Sequence, residues 1–121
     1  MNLFAWYRTL IRGLRRTSAT YTTQRVEELP DDLARRTVYL VGSPAWAAAL
    51  SCPCGCGAIV QLSLLNNDRP RWRLRTDRRG APTIYPSIWR TQGCRAHFFL
   101  RQGRLYWVPA YTTQRFLSRN P

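Results

Sequence analysis

The chain has 121 residues, with six acidic residues, a single histidine and nineteen basic residues, all of them arginine, for a formal net charge of +13. That length supports one domain with one modest core, and five Trp and six Tyr within a 45% hydrophobic composition argue for a folded chain rather than a disordered one. A membrane span is excluded because the longest apolar run, Ala45 to Leu50, is far too short, whereas the positive charge calls for an acidic partner: nucleic acid, an anionic membrane or an acidic protein.

From the N-terminus, Leu3, Phe4, Tyr7, Leu10, Ile11 and Leu14 recur at three- and four-residue steps, with Arg8, Arg12, Arg15 and Arg16 mainly off that stripe. This pattern predicts an amphipathic helix over Asn2 to Arg16, suited to packing on its own domain, to a partner's groove or to a membrane surface. Arg8 and Arg12 interrupt any signal-peptide core, which points to a cytoplasmic setting. Residues 1–20 are accordingly set apart as a basic helical segment, and residues 21–121 as a β-domain.

Val26 to Asp32 reads as a turn or short strand closed by Pro30, and Thr37 to Val41 as a strand. Ala45 to Ser51 runs into the cysteine-rich stretch, and Ala58 to Leu64 forms a further strand followed by a turn at Asn66 to Asp68. Arg71-Trp72-Arg73-Leu74-Arg75 alternates strictly, so a half-buried strand would show Arg71, Arg73 and Arg75 to a partner. Thr83 to Tyr85 extends, Ser87 to Gln92 reads as one helical turn, and Arg101-Gln102-Gly103 joins a hairpin of Arg95 to Leu100 and Arg104 to Val108. The expected fold is mainly β, a compact antiparallel sheet or small barrel with a helix in front. Tyr-Thr-Thr-Gln-Arg occurs at both Tyr21 to Arg25 and Tyr111 to Arg115, in surroundings too different to make a repeat.

Cys52, Cys54 and Cys56 lie within five positions, and Cys94 lies three positions before His97. Cysteines two residues apart rarely bridge each other without strain. Their convergence on one tetrahedral zinc ion is easier to build, and it would staple the domain. Buried free thiols, or one disulfide with two spare thiols, are the alternatives. If four cysteines saturate the ion, His97 is released to act as a base toward an alcohol such as Ser87, with the Ile88 and Trp89 amides facing a developing oxyanion. Ser87 suits a helix N-cap equally well, and His97 could itself be a metal ligand.

Cys-Pro-Cys-Gly-Cys-Gly at 52–57, Thr-Ile-Tyr-Pro-Ser-Ile-Trp at 83–89, Gly-Cys-Arg-Ala-His-Phe-Phe at 93–99 and Gly-Arg-Leu-Tyr-Trp at 103–107 occur in that order. Together, across about Val26 to Val108, they resemble a small bacterial family of zinc-containing serine peptidases found in ubiquitination-like (Bub) operons. The resemblance implies that Cys52, Cys54, Cys56 and Cys94 bind structural Zn2+, that Ser87 is the nucleophile and that His97 is its base. It further implies that a ubiquitin-like protein is processed or deconjugated at its C-terminal tail. Ala96 stands where that family usually has serine. The competing expectation is a non-enzymatic zinc module that binds nucleic acid or an acidic protein.

Overall fold

The computed structural model describes residues 11–16 and 20–109. Among them are nine strands: β1 (Arg15–Arg16), β2 (Thr22–Val26), β3 (Thr37–Val41), β4 (Ala47–Ser51), β5 (Ile59–Ser63), β6 (Arg73–Thr76), β7 (Pro82–Trp89), β8 (His97–Arg101) and β9 (Arg104–Trp107). They form a five-stranded sheet in the order β1-β9-β8-β7-β6 and a four-stranded sheet in the order β2-β3-β4-β5. Every pairing is antiparallel except that of β2 with β3.

Alternation along the strands builds a core between the sheets. Val60 and Leu62 of β5 are buried while Ile59 and Gln61 are exposed, so one face of that strand points inward. Val38, Leu40, Ala48 and Leu50 continue that layer, and Ile84, Ile88, Phe98, Leu100 and Leu105 of the five-stranded sheet meet it in one apolar cluster. Phe98 is fully buried, and its ring packs against Trp107 at 5.6 Å between centroids. With Phe98 and Leu100 turned inward, His97 and Phe99 must face the other way, because side chains alternate across a strand.

The strands expected at 37–41, 58–64 and in the terminal hairpin are present as β3, β5, β8 and β9, and the run that leads into the cysteines is strand β4. Three expectations need correction. Instead of one sheet or a barrel there are two sheets, and one is not wholly antiparallel, since β3 returns alongside β2 in parallel after the 27–36 connection. The expected helical turn at 87–92 is replaced by the end of β7 and a loop. Most of the predicted N-terminal helix lies outside the described residues. Its described end is not helical: Ile11 to Gly13 turn, Gly13 has φ +88°, and Arg15–Arg16 pair with Trp107 and Tyr106 of β9. A positive φ ends a right-handed helix, and the free edge of β9 takes up the two arginines. The first Tyr-Thr-Thr-Gln-Arg string enters edge strand β2; the second lies outside the described residues.

Candidate active site and metal centre

Strand β7 is irregular where it passes β8. Ile84 pairs with Leu100 and Ile88 with Phe98, so four residue steps on β7 span two on β8. Ile84 and Ile88 both stay in the core across this bulge. The extra residues, around Pro86 and Ser87, are thrown outward, which is how bulges re-aim a side chain. Beyond the bulge Trp89 pairs with His97. Ser87 and His97 therefore share the outer face of the five-stranded sheet, and Ser87 Oγ lies 3.0 Å from His97 Nε2.

The imidazole is 9% exposed and stands between two rings, Trp89 at 5.3 Å and 21° and Phe99 at 6.2 Å and 27°. Burial lowers its pKa below the ordinary 6.5, because the cation loses hydration that the apolar rings do not replace. A neutral ring at pH 7 can accept the proton of the Ser87 hydroxyl. Trp72 holds Ser87 from the other side of the strand: its Nε1–H donates to the Ser87 carbonyl at 3.2 Å.

The expected oxyanion donors differ in direction. The Arg90 amide donates to the Ala96 carbonyl, which makes Trp89–His97 the adjacent non-hydrogen-bonded pair. By this alternation the Ile88 amide points into the β8 ladder. The Trp89 amide points away from it, to the side on which Trp72 reaches the Ser87 carbonyl, beyond the β6 pairing of Pro82 to Tyr85.

Next to this pair, Cys52 at the end of β4 meets Cys94 in the β7–β8 connection, with 3.6 Å between sulfurs, and Cys52 Sγ lies 3.4 Å from Cys54 Sγ. All four sulfurs, including that of Cys56, lie within 4.8 Å of one another, and none is in a disulfide. A tetrahedral ion with metal–sulfur bonds of ~2.3 Å has sulfur–sulfur edges of ~3.8 Å, so the cluster has the size and donor chemistry of such a site. His97 is not one of the clustered ligands; its Nε2 is directed to Ser87.

Gly55 and Gly57, at φ +88° and +85°, turn the chain so that its amides meet the sulfurs. The Ala96 amide is the main cause that brings the Cys94 thiol down to about 6, and the Ala58 amide is the main cause that lowers Cys56. Cys54 is pushed up to about 12, chiefly by its hydrogen bonds with Cys56 and then Cys52, while burial raises Cys52. A bound cation would displace the remaining thiol protons.

Arg90 was not legible as a site residue, although a basic residue four positions before Cys94 could have been suspected. Its Nη1 donates to Cys94 Sγ at 3.1 Å and to Cys56 Sγ at 3.4 Å, setting a guanidinium against the thiolate cluster. Of the three arginines expected to meet a partner, Arg73 and Arg75 lie on β6. Arg71 precedes the strand and donates to Asn66 Oδ1 at 3.0 Å. A cleft of about 520 Å³ beside β6 is lined by all three together with Arg25, but not by Ser87 or His97. No helix among the described residues is long and apolar enough to cross a membrane.

A family model described as bacterial ubiquitination-like system serine protease (BubE) matches residues 25–108, well over half of the chain. No curated protein and no solved structure matches it.

Proposed function

The chain belongs to the BubE family of bacterial ubiquitination-like system serine proteases, and from that premise we propose that it cleaves the bond following the C-terminal tail of a ubiquitin-like protein through a Ser87 acyl-enzyme. The observation that carries this is the 3.0 Å contact between Ser87 Oγ and His97 Nε2. As Ser87 Oγ bonds to the scissile carbonyl carbon, its proton passes to His97 Nε2, and the electron pair of the carbonyl moves onto oxygen. The Trp89 amide, not committed to the β8 ladder, is the better placed of the two expected donors to hold that charge. Collapse breaks the bond to the leaving amine or alcohol, which takes the proton from His97. Water then attacks the acyl-serine and gives a proton to His97, and Ser87 leaves with it.

The Cys52, Cys54, Cys56 and Cys94 cluster fits structural zinc: when bound, the ion clamps the end of β4 to the β7–β8 connection that leads into His97. Four sulfur donors leave it no free coordination position.

Ser87→Ala should lower kcat by at least about 10³-fold, as loss of a nucleophile does, with the melting temperature and zinc content unchanged. Retained turnover in that folded, metal-loaded variant would remove Ser87 from the mechanism.

A further inference from the structure

The strand register fixes which side chains share the nucleophile's face. Leu74 of β6 pairs with the core residue Ile84, so Arg73 and Arg75, paired with Tyr85 and Thr83, face outward. Leu105 of β9 pairs with the core residue Leu100, so Arg104 and its partner Arg101 also face outward, as does Tyr106, opposite Phe99. Arg16 of β1 pairs with Tyr106 and joins the same face. Five arginines thus surround Ser87 and His97 on one side of one sheet. With strands ~4.8 Å apart and ~3.3 Å per residue, they stand roughly 8–17 Å from the hydroxyl.

No carboxylate lies on any strand of that sheet. Glu27, Glu28, Asp31 and Asp32 fall between β2 and β3 of the other sheet. Asp68 accepts from Ser63 Oγ in the turn before β6, and Asp77 accepts from the Arg79 and Ala81 amides in the β6–β7 turn. The chain's whole acidic complement is therefore kept off the nucleophile's face.

We propose that this face is a substrate-docking surface, and that the part of the ubiquitin-like substrate lying across it is acidic. The proposal rests on the hydrolase reading above and adds the chemistry of the substrate surface. Nucleic acid is the less suitable polyanion. Trp89 and Phe99 each stack on His97, at 21° and 27°, so each turns one ring face to the imidazole rather than to a base.

The test uses the full chain and the ubiquitin-like protein of the same system carrying a C-terminal aminocoumarin amide. Arg73→Glu combined with Arg101→Glu should lower kcat/KM by at least about tenfold at low ionic strength, within the range expected of electrostatic steering. The loss should shrink as salt shortens the Debye length to ~8 Å. Arg35→Glu with Arg36→Glu, the same change of charge in the β2–β3 connection, should cost less than about threefold, because those sites lie away from the oriented face. Fluorophosphonate labelling of Ser87 should proceed at the wild-type rate in both variants. An unchanged kcat/KM in the Arg73/Arg101 variant, with labelling intact, would overturn the docking proposal and leave the hydrolase reading standing. Absence of labelling in the wild-type chain would overturn both. An oligonucleotide that binds more tightly than the protein substrate, and is lost on the same charge reversal, would assign the face to nucleic acid instead.

Discussion

On the zinc reading proposed above, stripping the metal from the cysteine cluster should loosen the domain far more than its place at one end of the fold would suggest. Cys52 and Cys94 are separated by 42 residues, and their sulfurs meet at 3.6 Å across the two sheets. Treated as a cross-link closing a loop of that length, the site restricts the unfolded chain by about 4 kcal/mol. For a domain of this size, ~1 kcal/mol shifts the midpoint by roughly 3–5 °C, so chelation should lower Tm by roughly 12–20 °C. The assay pairs a melting curve with chromogenic titration of released zinc, repeated on Cys94→Ser. Peptidase activity should fall together with stability, because Cys94 opens the segment that leads into His97. Full release of zinc with Tm changed by less than about 2 °C would refute the cross-link argument.

Other consequences are more local. Burial depresses the His97 pKa, so kcat/KM should rise with pH along a limb whose midpoint lies below 6.5 and be flat by neutrality. A midpoint above 6.5 in a pH–rate profile would mean that the ring is not desolvated as found. The same depression has a sign for folding: between the unfolded pKa and the lower folded one, only the unfolded chain binds the proton. Stability should therefore fall as pH drops below about 6.5 and be unaffected above it, which denaturant midpoints at several pH values would check. Trp72→Phe keeps an aromatic side chain against the core but removes the donor to the Ser87 carbonyl and part of the packed surface. It should cost about 1 kcal/mol in stability, with a several-fold loss in kcat, and an unchanged kcat would show that the bulge is held by other contacts.

The strands were legible wherever a two-residue alternation or a Gly turn marked them, as in Ile59 to Ser63 and the hairpin around Gly103. The cysteine spacing was legible as a cluster because ligands so close in sequence need little from the fold. The joining of Ser87 to His97 was not legible from pattern. It depends on a slip in register, four residue steps of β7 spanning two of β8, which no local pattern encodes. The resemblance named the two residues; only the β7–β8 pairing brings their atoms together. Arg90 and Trp72 were missed for a related reason, since each acts through a contact distant in sequence, with Cys56 and with the Ser87 carbonyl. The arginine face was half legible: alternation at 71–75 marked one strand, but nothing in it showed that Arg16, Arg101 and Arg104 would join, or that Arg71 would fall before the strand begins.

The most direct measurement is to react the chain with a fluorophosphonate and locate the adduct by mass spectrometry of its arginine-bounded peptides. A single phosphonyl group on Ser87 is expected, lost in Ser87→Ala and strongly slowed in His97→Gln. An adduct elsewhere, or labelling of Ser87 that is indifferent to His97, would contradict a hydroxyl activated by that imidazole.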